Sequence, residues 1–571
     1  MIEGNSVKSS MRLRAKGTPL FLFLVVILSL TTMLSGCNRH QDKAEKRAHK
    51  IEQSKNAVEI DDNKPLNFSI IDTANYYIGN VGDQTYIFKI DKLFKTKFSG
   101  RYYVVNDKPI ATCQKFEVKY QNKKYIFTSD GKSTAIKFDI SVDTASIIGD
   151  FTTSITQTDK QGIAFVKYRV PAYKEYSSPR YAVDCPSDYL EIETQTDVVY
   201  GKAKGYWTSL PIDEDKVGKA FFKGIGKTAY EKNLNLTLDL YLPKDTLVKK
   251  RPLLVFFHGG AFYMGDKGCE TMVKWCEHFA QTGYVVASVN YRMGFTLSKK
   301  SIQKSGYEAI QDAHAALRFL VAHAEEYGID PNYIFVGGTS AGSITALGMA
   351  FMTNATRPPF VFENGFDKKL GNIESSGNNC HNTFHIKAIA NMWGAVYDLD
   401  ELNGHHIPVI SFHGTEDNLV PFDQGFPFSN IKSKLGEKLF DMMYGSQAIH
   451  KRLDSLHVRN EFHPIAGCSH APYQDKKGHP NDCYYFIQGK MQKFFYVELA
   501  RVKGIAHEKS SPQVYYCKQD DVTAINWKVD GGFILKTEEG KVKVLWRSDS
   551  RKRKVTASGL RENGMAFTTS D

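Results

Sequence analysis

What the sequence lacks narrows its chemistry first. None of its nine cysteines lies in a C-x-x-C pair, and no H-E-x-x-H string occurs. The common zinc spacings are therefore absent, and neither a metal nor an organic cofactor is expected. The formal net charge is +12, yet no nucleic-acid motif accompanies the basic residues. They are scattered, apart from local runs such as Arg551-Lys552-Arg553-Lys554. That pattern reads as a solvated basic surface suited to anionic membranes, with no nucleic-acid partner. The apolar run 20–30 is too short for a membrane-spanning helix, which needs about 20 residues. Hydrophobic residues make up 42% of the chain, which excludes wholesale disorder and allows a sizeable core.

The short apolar run follows Lys8, Arg12, Arg14 and Lys16 and has the form of an export signal. Leu34-Ser35-Gly36-Cys37 comes next. It resembles a bacterial lipobox, which implies lipidation of Cys37 and removal of residues 1–36. The expected location is a bacterial membrane, on a periplasmic or cell-surface face of the outer membrane. Met11 is an alternative start. Export makes disulfides possible among the remaining eight cysteines, but their pairing cannot be deduced. Cys269 and Cys276 share a helical stretch, where seven residues span about 10 Å, too far for a direct bond.

Along the chain, 37–59 is polar and reads as a tether. From 60 to 204, segments such as Tyr102-Tyr103-Val104-Val105 and Ile136-Lys137-Phe138-Asp139-Ile140 alternate as strands do, between turn signals. An all-β accessory domain, built as a sandwich, is expected there. From 205 to 505 the pattern becomes strand, helix, strand. Strands are expected at 236–242, 252–257, 284–289, 333–336, 386–396, 408–412 and 458–465. Helices are expected at 307–327, 343–351, 432–455 and 482–500. This alternation predicts an α/β fold with a doubly wound, mostly parallel sheet. From 510 to 571 the β pattern returns and suits a small sandwich. The Trp527 to Gly532 stretch resembles a PKD or immunoglobulin-like module.

Gly338-Thr339-Ser340-Ala341-Gly342 lies between an expected strand and an expected helix. A G-x-S-x-G string alone is weak, since about 0.2 chance matches are expected in a chain this long. Its context adds the meaning. A sharp strand-to-helix turn lifts the serine hydroxyl above the sheet, and the flanking glycines let backbones pass closely. The Ala341 N–H opens the helix, where negative charge is stabilised. His258-Gly259-Gly260-Ala261 ends an earlier strand, and its turn exposes backbone N–H groups. Gly259 and Gly260 are assigned as oxyanion donors jointly with Ala341, and His258 as a buttress of the loop.

Together these motifs resemble the carboxylesterase and hormone-sensitive-lipase-like side of the α/β-hydrolase family, over about 206–500. The resemblance implies a serine nucleophile followed in order by an acid and a histidine. Ala261 stands where that family often has a third glycine. The family's acid loop matches His413-Gly414-Thr415-Glu416-Asp417 and carries over onto Asp417, with Glu416 and Asp398 as competitors. The base is expected in Gly467-Cys468-Ser469-His470, at His470, with His463 as the alternative. The little-patterned segment 354–385 reads either as a lid or as a surface insertion. As a lid it brings Phe360, Phe362 and Phe366 to an acyl or alcohol pocket.

The implied activity is serine-dependent hydrolysis of carboxylic esters. The architecture suggests acyl groups on polysaccharides, such as acetyl or feruloyl esters, as substrate. Two rivals remain. A serine peptidase of the oligopeptidase type usually carries a second glycine after the elbow, where this chain has Ser343. A surface binding protein with a vestigial hydrolase domain would not need the intact Ser340, Asp417 and His470 set.

Overall fold

A computed structural model describes residues 73–571, apart from 82–83, 123, 130–131, 140–146, 151–162, 178–179, 182–189, 208–229, 245–246, 362–369, 430–434, 476–477 and 510. The signal, Cys37 and the tether lie outside the described residues. The chain divides into two units, 1–104 with 113–168, and 105–112 with 169–571.

The first unit is a closed barrel of eight strands, running from Tyr76–Val81 to Ile163–Lys167. These two end strands pair directly, Tyr77 opposite Lys167 and Ile78 opposite Val166. Phe88, Phe98 and Phe116 are buried, and the Phe88 and Phe116 rings meet edge-on at 5.5 Å. A sandwich was the expectation. The period-two alternation that buries one face is common to both architectures, and closure depends on pairing between the outermost strands.

The second unit is built on an eight-stranded sheet. We number its strands β1 (Ile192–Trp207), β2 (Tyr230–Pro243), β3 (Arg251–Phe257), β4 (Val285–Val289), β5 (Ile329–Thr339), β6 (Ile386–Met392), β7 (Val409–Gly414) and β8 (Asn460–Ile465). Their spatial order is β1-β2-β4-β3-β5-β6-β7-β8. The first two pairings are antiparallel and the rest parallel. Most of β1 lies before residue 205, where the boundary of the catalytic region was expected. Most of its residues are exposed or half-buried, as on an edge strand, so its sequence carries only a weak core signature.

The helices used below are α1 (Glu270–Gln281), α2 (Lys299–Ala322), α3 (Ala341–Phe351), α4 (Ser446–Ser455) and α5 (Asp482–Leu499). Every residue of β3 is buried, because helices cover both faces of the sheet. Leu253, Val255 and Phe257 point to a core shared with Leu317 of α2 and Leu347 of α3. Leu254 and Phe256 point to the opposite core, with Trp275 of α1 and Phe495 of α5.

Two expected elements are broken, each at a residue the surroundings constrain. The strand expected to 396 stops at Met392, where Trp393 takes φ +44°. Ala395–Val396 then pair elsewhere, with Gly445 and Tyr444. The helix expected at 432–455 is interrupted by Met443–Gly445. A Cβ at Gly445 would lie 1.7 Å from the Pro421 carbonyl oxygen, so this turn packs backbone against backbone. Cys269 and Cys276 are not joined by a disulfide.

At the C-terminus, a sheet containing Val542, Val544 and Trp546 and a three-stranded sheet containing Trp527, Val555 and Ala557 share one core. The buried Arg561 joins them to the main sheet. It pairs with Asp521 at 2.9 Å, donates to the Leu499 carbonyl at 2.5 Å and bonds the Tyr333 hydroxyl.

Candidate active site

Ser340 stands between the end of β5 and the start of α3, with φ 51° and ψ −120°. That conformation is strained for a residue with a side chain. The two glycines permit it. A Cβ on Gly338 would lie 2.4 Å from Gly342 backbone atoms, and one on Gly342 would lie 2.1 Å from the Phe257 carbonyl oxygen. The elbow therefore closes directly over the ends of β3 and β5. Ser340 N–H donates to Met392 O at 2.9 Å, which anchors the turn to β6.

The loops after β7 and β8 bring Asp417 and His470 to the serine. They are stitched together by Glu416 N–H to Cys468 O at 2.9 Å and by Gly467 N–H to Thr415 Oγ1 at 2.9 Å. His470 Nε2 lies 2.9 Å from Ser340 Oγ, and its Nδ1 lies 2.7 Å from Asp417 Oδ2. With Nδ1 protonated, Nε2 is free to accept the serine proton. The Asp417 side chain is fully buried. Its Oδ1 accepts from Leu419 N–H at 2.8 Å and Val420 N–H at 3.0 Å, and His413 Nε2 approaches Oδ2 at 3.2 Å. Burial alone would raise the carboxyl pKa. The charges and hydrogen bonds of His470 and His413 outweigh it and hold the group well below the usual carboxylate range.

His413 was not singled out in the sequence. Its Nδ1 lies 2.8 Å from Ser446 Oγ. Ser446 in turn accepts from Asn391 Nδ2 at 3.0 Å, and Asn391 Oδ1 accepts from Ser343 Oγ at 2.5 Å. This buried chain links the acid to the helix that carries the nucleophile. Its bonded members lie 33 to 55 residues apart in sequence, so local pattern gave no signal, although His413 and Asp417 stand at i and i+4 in the quoted motif.

Gly260 (φ +120°), Ala261 (φ +54°) and Phe262 (φ +57°) form a run of left-handed backbone after β3. Gly260, Ala261 and Ala341 line the same cavity as Ser340 and His470. Gly259, an expected donor, is not among its lining residues, whereas Ala261 is. The third position of the loop was the signal that pointed there. His258 is buried and stacks on Tyr291 at 4.6 Å. Its Nδ1 donates to Gly259 O at 2.7 Å, and burial lowers its pKa. It is a neutral support of the loop.

The competing residues lie apart from this group. Asp398 caps a short 3-10 turn, accepting from Asp400 N–H at 3.0 Å. Glu416 is exposed. His463 bonds Glu461 at 2.7 Å and stacks on Phe412. Phe362 and Phe366, with the side chain of Phe360, lie outside the described residues. Among the described residues, the cavity walls include Leu419, Val420, Phe428, Leu439 and Phe440, from the segment between the acid loop and α4. Its apolar clusters were the available signal.

The sheet order, the elbow after β5 and the acid and base loops after β7 and β8 make this an α/β-hydrolase fold. The BD-FAE family model matches residues 238–407, a span that contains the 258–261 loop and Ser340 but ends before Asp417 and His470. Gut esterase 1 of Caenorhabditis elegans is 34% identical over 110 residues, which cover 19% of this chain and 19% of that protein. Carboxylesterase patB of Penicillium expansum is 32% identical over 146 residues, covering 22% and 26%. The chain thus spans about a quarter or less of the length of these two curated relatives. A solved structure, Thermogutta terrifontis esterase 2 phosphonylated by cyclosarin, is 23% identical with a TM-score of 0.32, covering 47% of this chain and 90% of that one.

Proposed function

We propose that this chain is a serine esterase that hydrolyses carboxylic esters through an acyl-enzyme intermediate. The observation that carries the reading is the continuous relay Asp417–His470–Ser340, with contacts of 2.7 and 2.9 Å, opening on a cavity lined by Gly260, Ala261 and Ala341. His470 takes the Ser340 proton as Oγ attacks the ester carbonyl carbon. The carbonyl oxygen gains charge facing the N–H groups of Gly260, Ala261 and Ala341, where each well-placed donor is worth about 10²–10³ in rate. Asp417 stabilises the imidazolium. His470 then protonates the departing alcohol oxygen, and a water repeats the sequence against the acyl-enzyme. The esterase names of the matched relatives support this reading.

The test is turnover of p-nitrophenyl acetate with covalent labelling by a fluorophosphonate. Ser340→Ala is expected to lose the labelling and at least about a thousandfold in kcat. A mutant that keeps both would overturn the assignment.

The natural substrate is read as acyl groups, acetyl or feruloyl, on polysaccharide. Good turnover of lipid esters with no acid released from any acylated glycan would refute that. The chain is further read as exported and lipid-anchored at Cys37, with the C-terminal sheets as a PKD or immunoglobulin-like module. Metabolic labelling with a fatty acid that persists in Cys37→Ala would exclude the anchor.

A further inference from the structure

The cavity at Ser340 is small, about 60 Å³. A second and much larger cleft, about 790 Å³ and lined by Lys299, Arg357 and Asp400 among others, lies beside it. Three residues line both: Gln303, Tyr397 and Asp441. Gln303 Nε2 donates to Asp441 Oδ2 at 2.5 Å, and Lys299 Nζ pairs with Asp441 Oδ1 at 2.6 Å. Tyr397 lies against α2 at a glycine, its hydroxyl 3.1 Å from where a Gly306 Cβ would stand. A hydrogen-bonded partition thus separates a narrow apolar cavity from a roomy polar cleft.

Resting on the esterase reading above, we infer that the Gln303–Asp441 hydrogen bond is the end wall of the acyl pocket and sets the longest acyl group the site accepts. The apolar walls at Ile302, Ile344 and Phe440 stabilise methylene groups by removing them from water. The wall reverses that gain. An alkyl tail long enough to reach it would press on a charged carboxylate and break a hydrogen bond, leaving polar groups without partners. Short acyl groups stop before it. Removing one partner opens the pocket into the larger cleft, and a longer tail gains a path.

The experiment measures kcat/KM of the full chain for p-nitrophenyl acetate, butyrate and octanoate, and for acetate esters of short and long alcohols. It also measures inactivation rates by short- and long-alkyl fluorophosphonates, which need no turnover. The parent is expected to favour the short acyl groups. Gln303→Ala is expected to raise the octanoate-to-acetate ratio by about tenfold or more, since each additional buried methylene contributes about fourfold. Asp441→Ala, which opens the same partition from another segment, is expected to act likewise. Asp441→Asn keeps the size and an acceptor for Gln303, and its ratio is expected to stay near the parent's. An unmoved ratio in both alanine variants overturns the end wall and leaves the esterase reading standing. A ratio that moves with the alcohol chain of acetate esters, and not with the acyl chain, overturns the acyl assignment. No turnover and no labelling in the parent overturns the nucleophile and this inference with it.

Discussion

Replacing His413 by phenylalanine tests whether the acid is held by more than the base it serves. Asp417 has four close partners: Leu419 and Val420 N–H at 2.8 and 3.0 Å, His470 at 2.7 Å and His413 at 3.2 Å. Both side chains of the His413 pair are fully buried. A hydrogen bond to a buried charge contributes about 1.5–3 kcal/mol. His413 Nε2 also lies 3.3 Å from the Val420 carbonyl oxygen, so its proton is shared and the part that reaches Asp417 stands at the lower end, about 1.5 kcal/mol. Phenylalanine nearly fills the imidazole volume and keeps the edge-on contact with Phe422, now 5.6 Å, but it leaves Ser446 Oγ and the Val420 carbonyl without His413, a cost of about 1–3 kcal/mol that does not change with pH. The sign with pH separates this account from simple damage. Asp417 is held below its ordinary pKa, so its contribution to stability is present at neutral pH and is lost as pH falls through the folded value. In the variant the carboxyl is depressed less. The stability gap should therefore be widest at pH 7 and narrow only as pH falls through the variant's own folded value, which lies between the parent's and the ordinary aspartate value of about 3.9. Urea unfolding at several pH values reads the gap. A packing defect alone would give the same gap at every pH. We expect kcat on p-nitrophenyl acetate to fall about tenfold, because a less firmly held carboxylate orients His470 less well. A constant gap together with an unchanged kcat would refute the reasoning.

Gly342→Ala should destabilise the fold by about 3 kcal/mol or more, because the new methyl would lie 2.1 Å from the Phe257 carbonyl oxygen; a normal unfolding midpoint would show that the elbow and β3 can part. Glu401 is 4% exposed, and burial, aided by the charge of Asp398, pushes its carboxyl up to about 8. Stability is then fully present below the unfolded glutamate pKa of about 4.3 and declines as pH rises toward the folded value. Glu401→Gln should abolish that decline, which thermal melts of parent and variant at mildly acidic and mildly alkaline pH would show; parallel curves would contradict it.

The residues that carry the proposed chemistry were readable because each stands in a short motif whose geometry is local. Ser340 needs two glycines at fixed distances, His470 and Asp417 follow identifiable strands, and strands such as Leu253 to Phe257 reveal burial on both faces by being apolar throughout. Three other features were decided by contacts between distant segments. The first unit closed into a barrel because its end strands met. The expected helix at 432–455 broke because Gly445 lies against Pro421. Ala261, and not Gly259, lines the cavity, where the loop turns left-handed from Gly260 onward. His413 belongs with these, since its value lies in meeting Asp417 and Ser446 at once. The sequence by itself determined which chemical groups are present and which secondary structure their neighbours favour, because those preferences act over a few residues. The tertiary structure decided which groups face one cavity and where that cavity ends, because a pocket is the space left between segments, and its shape depends on how their side chains pack together.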